Sequence, residues 1–363
     1  MNYMNEFRDR RVVQGLAERI KELAAGRERP MTFMEVCGTH TMAIYQYGLR
    51  SLLPAGVRLI SGPGCPVCVT PNGYIDRAIA YSRLPATIIA TFGDMVRVPG
   101  SSSSLMEERA RGADIRIVYS PLDAVTIAER NPDKRVIFLG VGFETTAPAI
   151  AGSILAASAR GIGNYLVLAA HKTIPIPMEI LSSDSELSID GYICPAHVSA
   201  IIGAEAYRSL AEKRGVPCVV TGFEPVDVMQ GVEMLVRQVV EGRSSVEIQY
   251  GRVVKWEGNR KAQEVLAEVF SVCDSEWRGI GVIPGSGLEI NGKYAAFNAE
   301  KNVEVAVEEP REHKGCLCGE VLKGKTSPFD CPLFATVCMP ESPVGACMVS
   351  SEGTCAAAYK YGR

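Results

Sequence analysis

The sequence predicts an α/β protein with two similar parallel-sheet α/β domains, related by internal duplication, and a cysteine-rich C-terminal domain. Three observations support this fold class: eight short apolar runs, two motifs repeated at one offset, and six of the twelve cysteines within the last 48 residues. The chain has 363 residues, 47% of them hydrophobic, which is enough for two or three domains.

The eight apolar runs are predicted strands. They are continuous rather than alternating, which is typical of strands buried on both faces of a parallel sheet. Spacings of roughly 25–30 residues leave room for one crossover helix between successive strands. The runs cover residues 32–36, 57–60, 87–91, 115–119, 136–140, 165–169, 191–194 and 219–222.

Two motifs recur at an offset of 104 residues. Residues 38–43 (GTHTMA) align with residues 142–147 (GFETTA), and residues 121–123 (PLD) align with residues 225–227 (PVD). Two matches at one offset indicate an internal duplication, and coincidence between two ordinary strand-to-helix turns is the alternative.

The predicted boundaries divide the chain into four parts. They are an N-terminal helix in residues 1–30 that packs on another domain, a first α/β domain in residues 31–130, a second in residues 131–235, and a C-terminal domain in residues 236–363. Within the last part we expect a hairpin near residues 247–256, a helix from Arg260, and a charged connecting segment over residues 302–315.

Composition and charge exclude several classes of protein. The net charge of −3 gives no electrostatic reason to expect nucleic acid or an anionic membrane as a partner. The N-terminus is charged within six residues, and no apolar stretch approaches the roughly 18–20 residues that span a bilayer. We therefore expect a cytoplasmic protein, in which clustered cysteines more often serve metal or redox chemistry than structural disulfides.

Cys37 and His40 lie in one turn directly after the first predicted strand. In open α/β sheets, ligands bind beyond the carboxyl ends of the strands. A thiol that enters a helix N-terminus should have its thiolate favoured by the helix dipole. His40 shares the same helical face and could donate to that thiolate or to the ligands of a metal. The alternative is a buried cysteine that acts as a small hydrophobic residue.

Cys65 and Cys68 form a C-x-x-C motif after the second predicted strand. This spacing resembles that of redox dithiols, in which one thiolate attacks and the other resolves. The same spacing also provides half of a zinc site, but the sequence has no second C-x-x-C. A redox dithiol, a metal half-site and inert packing stay open at this point.

Further candidate site residues follow later strands. Glu144 lies after the fifth strand, where a helix-capping turn is an equal alternative. The turn beyond the sixth strand carries His171. His197 follows the seventh strand, and a satisfied buried histidine is the alternative. Three other cysteines are predicted to be core thiols: Cys194, Cys218 and Cys273.

The cysteine-rich tail needs a cross-link, because so short a segment builds little core. Four thiolates would satisfy either a tetrahedral zinc ion or a [4Fe–4S] cluster, and no ferredoxin-like C-x₂-C-x₂-C run decides between them. A dithiol elsewhere in the chain favours iron–sulfur, because zinc exchanges no electrons. The tail thiols are Cys316, Cys318, Cys331, Cys338, Cys347 and Cys355.

Five segments of the sequence are long and non-generic motifs. They are CGTHT at residues 37–41, GPGCPVC at 62–68, GFETTAP at 142–148, PAHVSAI at 195–201 and EGTCAAAYKY at 352–361. Together, and in this order, they closely resemble the HypD family of [NiFe]-hydrogenase maturation factors. The resemblance covers nearly the whole chain.

The resemblance implies a cytoplasmic iron–sulfur protein with two similar α/β domains and a third domain that carries a [4Fe–4S] cluster. It implies a complex with the small chaperone HypC, on which an Fe(CN)₂CO group is assembled. HypE would deliver the cyanide, and the group would pass to the hydrogenase large-subunit precursor.

The resemblance also implies roles for individual residues. Cys37 would hold the iron, and Cys65 and Cys68 would be electron relays. Thr39 and His40 could donate to the cyanide and carbonyl ligands, and Glu144 and His197 complete the predicted site. The cluster pattern C-x₁₄-C-x₆-C-x₁₆-C matches Cys316, Cys331, Cys338 and Cys355, with Cys318 as an alternate ligand and Cys347 outside the pattern.

The predicted function is therefore a scaffold and redox protein for hydrogenase maturation, with no freely released product. One alternative is a stand-alone thiol-disulfide reductase fed by an iron–sulfur cluster, which would not need Cys37. A third hypothesis is a zinc-stabilised small-molecule enzyme.

Overall fold

A computed structural model describes residues 6–362. Its strands build two sheets, which we call the first sheet (β2-β1-β7-β8-β9) and the second sheet (β10-β11-β6-β5-β3-β4). The strands are β1 Met31–Glu35, β2 Val57–Ser61, β3 Thr87–Thr91, β4 Asp114–Ile117, β5 Arg135–Gly142, β6 Tyr165–Lys172, β7 Gly191–Pro195, β8 Cys218–Thr221, β9 Val246–Ile248, β10 Phe270–Trp277 and β11 Gly281–Ile290.

Helices alternate with the strands along most of the chain, as parallel pairing requires. Short 3₁₀ turns, including Ala346–Met348, lie between some of them. The α-helices are α1 Arg10–Ala24, α2 Gly38–Gln46, α3 Leu49–Leu52, α4 Pro66–Val69, α5 Asn72–Ser82, α6 Leu105–Ala110, α7 Pro121–Arg130, α8 Ala147–Ala159, α9 Pro175–Leu181, α10 Ala196–Ile202, α11 Arg208–Arg214, α12 Pro225–Val240, α13 Arg260–Val269, α14 Ala299–Asn302, α15 Cys318–Leu322 and α16 Thr354–Tyr361.

All eight predicted strands are confirmed, with boundaries shifted by a few residues. The first sheet is parallel throughout, and the second is parallel over β4, β3, β5 and β6. Every residue of β3 is buried, which explains why its run is continuously apolar.

The grouping of those strands into two successive sets of four is wrong. Along the chain, β1 and β2 belong to the first sheet, β3 to β6 belong to the second, and β7 to β9 belong to the first again. Residues 31–130 and 131–235 therefore each contribute strands to both sheets. Buried apolar runs look alike in sequence, and only the long-range pairing of β1 with β7 decides the partition.

The repeated motifs nevertheless occupy the same local position. Asp123 and Asp227 are each the third residue of a helix that begins with proline. Asp123 Oδ2 accepts from the Ser120 amide at 3.0 Å, and Asp227 Oδ2 accepts from the Glu224 amide at 3.4 Å. The internal duplication stays a prediction that this local similarity supports.

The hairpin predicted near residues 247–256 is wrong. β9 lies there, but it pairs in parallel with β8 and is followed by turns. The hairpin is instead β10–β11, whose antiparallel pair extends the second sheet from β6. β10 is half-exposed and alternates, so a search for continuous apolar runs does not find it. The helix predicted from Arg260 is confirmed as α13.

The N-terminal helix α1 packs beside β1, the strand that follows it in the chain. Val13, Leu16 and Ile20 are buried against α12 and share a core with Met31 of β1. The prediction that this helix packs on another domain stays a prediction, and α12 lies mostly within the predicted second domain. The first five residues of the predicted 1–30 segment lie outside the described residues.

The tail shares its core with the first sheet. Cys318, Val321 and Met348 belong to the same buried cluster as Met34 of β1 and Cys68. The predicted charged connecting segment runs from the end of α14 to the tail without helix or strand, as expected. Within residues 6–362, no helix is both long enough and apolar enough to cross a bilayer.

Candidate functional site

Cys37 caps the N-terminus of α2, directly after β1. Its amide donates to Glu35 Oε2 at 3.1 Å. The pKa of the Cys37 thiol is raised to about 12, first by burial and then by the nearby Glu352 carboxylate, although the amides of His40 and Thr39 oppose this. The amides at the helix terminus favour the thiolate, as expected, but desolvation outweighs them, so the net shift of the Cys37 pKa is upward.

His40 is fully buried, and its ring bonds to the end of β8. Its Nε2 lies 3.0 Å from the carbonyl oxygens of both Thr221 and Gly222, at the end of β8. Burial lowers the pKa of His40 to about 4, so the ring is neutral at neutral pH. Nδ1 has no hydrogen-bond partner among the described residues. No hydrogen bond joins His40 to the Cys37 thiol in the described residues, and donation to the ligands of a metal stays a prediction.

Phe223 brings the two predicted histidines together. Its ring centroid is 4.7 Å from that of His40 and 4.2 Å from that of His197. Partial burial lowers the pKa of His197, and the Glu352 carboxylate opposes this shift. His197 follows β7, which is the neighbour of β1, so both turns lie at one edge of the first sheet.

Glu352 is a residue that the site prediction missed. Thr39 Oγ1 donates to Glu352 Oε1 at 2.8 Å. A Cβ on Gly38 would lie 2.4 Å from the Glu352 Cβ, so only glycine permits this approach. The available signal was the EGTC motif, which places Glu352 close to a predicted cluster ligand.

Cys65 and Cys68 form a disulfide with a Cα–Cα separation of 5.2 Å. Both are buried, and Cys65 Sγ also accepts from the Cys68 amide at 3.2 Å. The loop before them packs on the Cys37 turn, because the Gly38 amide donates to the Gly64 carbonyl at 2.9 Å. A Cβ on Gly64 would lie 2.2 Å from the Cys37 nitrogen.

Helix α4, which carries Cys68 of the disulfide, also contacts the cysteine-rich tail. Cys68 Sγ lies 3.9 Å from the carbonyl oxygen of Ala346, the residue before Cys347. The C-x-x-C motif is therefore packed between the Cys37 turn and the cysteine-rich segment.

The tail thiols converge on one cavity. Cys318 Sγ and Cys347 Sγ are 3.0 Å apart, and Cys338 Sγ accepts from the Val344 amide at 3.3 Å. The thiols of Cys316 and Cys347 and the charge of Arg278 hold the pKa of Cys318 below its usual range. The cavity is lined by Cys316, Cys318, Cys331, Cys338, Cys347 and Cys355.

This donor set fits a metal centre held by thiolates, and a [4Fe–4S] cluster is one such group. A [4Fe–4S] cluster binds each of its four thiolates through a different iron, so it accepts thiols that stand farther apart than the ligands of one zinc ion.

Glu144 is buried directly after β5 of the second sheet. Its Oε1 accepts from the Ile174 amide at 2.9 Å, whereas Oε2 has no partner in the described part of the chain. Burial raises its pKa to about 7. The structure brings Glu144 into no hydrogen bond with Cys37, Thr39 or His40.

The remaining candidates lie within strands of the two sheets. Cys194 and Cys218 are fully buried, as predicted, whereas Cys273 is partly exposed on β10, so its assignment to the core is wrong. His171 lies within β6 rather than in the following turn, and it pairs with Leu288 of β11.

Comparison with known proteins decides the family. A family model described as "HypD: Hydrogenase formation hypA family" matches residues 11–362. The chain belongs to the HypD family. It is 49% identical to the hydrogenase maturation factor HypD of Rhizobium leguminosarum bv. viciae over 371 aligned residues, which cover 100% of this chain and 96% of the relative. It is 46% identical to HypD of Escherichia coli K12, over 99% of this chain and 98% of that relative.

The segments that carry the HypD resemblance are now placed in space. The Cys37 turn, the disulfide loop, the His197 turn and the Glu352 segment meet at the carboxyl edge of the first sheet. The GFETTAP segment with Glu144 lies on the second sheet.

Proposed function

We propose that this chain acts in the maturation of [NiFe]-hydrogenase, as a scaffold and redox protein on which an Fe(CN)₂CO group is assembled. The observation that carries the proposal is the position of Cys37. Its turn contacts the Cys65–Cys68 loop on one side and the tail segment that holds Glu352 and Cys355 on the other.

Cys37 is the proposed anchor for the iron cargo. Its raised pKa keeps the thiol protonated at neutral pH, so iron binding must release that proton. Soft thiolate is a suitable ligand for such an iron. The amides of Thr39 and His40 face the sulfur and would stabilise the negative charge that forms there.

Cys316, Cys331, Cys338 and Cys355 are the proposed ligands of a resident [4Fe–4S] cluster, with Cys318 as the alternate. Such a cluster supplies one-electron transfer. Cys65 and Cys68 are the proposed thiol redox pair, because two electrons and two protons convert their disulfide into two thiols.

The partners and location follow from the family alone. We propose HypC as the small chaperone that completes the iron coordination, HypE as the cyanide donor, and the hydrogenase large-subunit precursor as the recipient. The proposed location is the cytoplasm, and no nucleic acid or membrane is expected to take part.

Burial argues against the alternative of a stand-alone thiol-disulfide reductase. Cys65 and Cys68 are 3% and 0% exposed, so the thiols of another protein have no direct access to them. The third hypothesis, a zinc-stabilised small-molecule enzyme, is decided by metal analysis of anaerobically purified protein, which would find zinc without sulfide.

Infrared spectroscopy of the complex with HypC tests the proposal. The wild-type complex should show bands of bound cyanide and carbonyl. The Cys37→Ala complex should lose them while it keeps the fold and the iron of the tail. Cys273→Ser, which changes a partly exposed thiol on β10, is the matched control and should keep the bands. Bands of wild-type intensity in Cys37→Ala would place the iron elsewhere.

A further inference from the structure

Arg278 directly follows β10. It caps the C-terminus of α4, the short helix that carries Cys68. Its backbone amide donates to the Val69 carbonyl at 2.9 Å, and its Nε donates to the Thr70 carbonyl at 2.9 Å. These carbonyls lie at the C-terminus of α4, where a helix leaves its acceptors unsatisfied. A cation at this end also interacts favourably with the helix dipole.

The guanidinium of Arg278 is buried, and only part of it is paired. The side chain is 6% exposed. Nη1 donates to Asn72 Oδ1 at 2.5 Å and to Glu312 Oε1 at 3.2 Å. Nη2 has no partner within residues 6–362. A buried cationic N–H group without an acceptor is costly, so this atom requires an explanation.

The unpaired group lies beside the tail thiols. Arg278 lines a cavity of about 300 Å³ whose wall includes Cys316, Cys318 and Gly345. Cys316, Cys318 and Gly345 also line the second cavity, which all six tail cysteines border. Arg278 thus contacts the end of α4 and lines a cavity that shares these residues with the proposed cluster site.

The charge around this cavity is mixed at the rim and positive in its buried part. Arg311, Glu312 and His313 line the rim and are exposed. Glu312 is the acidic partner of Arg278, and its side chain is 51% exposed, so solvent screens part of the attraction. The buried guanidinium is therefore only partly compensated.

We propose that Arg278 is a positioning residue that stabilises the reduced, more negative form of the tail cluster while it fixes the helix of the Cys65–Cys68 pair. This inference rests on the proposed function, since it requires a cluster in the tail. A positive charge in a buried environment favours the added electron, and hydrogen bonding and charge near a cluster set its potential. Nη2 is the donor of Arg278 that no described residue occupies.

A redox titration of the anaerobically reconstituted full-length protein tests the inference, with the reduced fraction followed by visible absorbance and electron paramagnetic resonance. Arg278→Met removes the charge and keeps much of the volume. At the wild-type midpoint potential, the ratio of reduced to oxidised cluster should fall about tenfold, which corresponds to about 59 mV for one electron. Arg278→Lys should largely retain the wild-type ratio.

Two further variants keep the test decisive. Asn72→Asp places a carboxylate beside Nη1 and should shift the ratio in the same direction if Arg278→Met does not fold. Arg109→Met makes the same charge change at an exposed position outside this cavity and should leave the ratio unchanged. Equal iron and sulfide content with unchanged ratios in Arg278→Met and Asn72→Asp would overturn this inference alone. A wild-type tail without iron and sulfide would overturn the proposed cluster and this inference with it.

Discussion

The hydroxyl of Thr39 donates a 2.8 Å hydrogen bond to the carboxylate of Glu352, which lies 313 residues further along the chain. This bond closes the Cys37 turn against the tail and places a negative charge near a buried thiol. The charge is one of the causes that raise the pKa of Cys37, after burial itself.

Glu352→Gln should therefore lower the pKa of Cys37, because glutamine retains the acceptor for Thr39 but removes the charge. Burial remains, so we expect a moderate effect: alkylation of Cys37 at pH 8 about threefold to tenfold faster, since the thiolate is the reactive form. Peptide mass spectrometry of the Cys37 peptide after timed iodoacetamide treatment measures it. Thr39→Val is the control: it keeps the Glu352 charge, so it should not accelerate alkylation by lowering the Cys37 pKa. Equal alkylation rates in Glu352→Gln and wild type would contradict the prediction.

Cys331→Ser should remove most of the bound iron and the brown colour of anaerobically prepared protein. It should also destabilise the tail, because metal binding in such a segment is also folding free energy. Iron and acid-labile sulfide analysis, together with thermal unfolding, measures both effects. Cys218→Ser is the matched control, since it changes a buried cysteine outside the tail and should keep the iron. Stoichiometric zinc without sulfide in the wild type would contradict a cluster.

Cys65→Ser should abolish the redox dependence of labelling at Cys68. In the wild type, oxidation protects both residues as a disulfide and reduction exposes two thiols, and the Cα–Cα separation of 5.2 Å allows this exchange without backbone movement. Labelling of Cys68 after unfolding, with and without prior oxidation, gives the result. Cys194→Ser leaves the pair intact and should behave as wild type. The prediction fails if oxidation still protects Cys68 in Cys65→Ser.

Glu144→Gln should flatten part of the pH dependence of stability. The folded pKa of Glu144 is about 7, compared with an ordinary value of 4.5, because burial disfavours its charged form. Stability from this group is complete below pH 4.5 and is lost as pH rises through 7, because the unfolded chain releases the proton first.

The difference in pKa corresponds to a loss of about 3 kcal/mol by pH 8, which the variant should not show. Denaturant unfolding at pH 4.5 and pH 8 measures this change. Glu35 has a similarly raised pKa of about 7, so the variant should retain the share of the pH dependence that comes from Glu35. Glu264→Gln changes an exposed carboxylate and should match the wild type, and a wild-type slope in Glu144→Gln would refute the assignment.

Much of the strand pattern was predictable from the sequence, because burial on both faces imposes continuous apolar runs. The position of Cys37 at a strand end was predictable for the same reason. The partition of strands between sheets was not, since β1 carries no local mark that it pairs with β7 rather than with β3.

The site was predictable only in part. Its cysteines and histidines stand out by residue type, whereas Glu352 and Arg278 are ordinary charged residues whose meaning comes from contacts far along the chain. The sequence also gave no measure of how deeply Cys37 is buried. That burial reverses the effect expected from its helix terminus.

The interleaved order of the two sheets has a consequence for biosynthesis. The first sheet lacks its last strand until residue 248 has left the ribosome, and the second lacks its hairpin until residue 290. The carboxylate that closes the Cys37 turn is made later still, within the last dozen residues. A nascent or truncated chain that lacks Glu352 therefore presents Cys37 in a turn without the hydrogen bond from Thr39 to the tail.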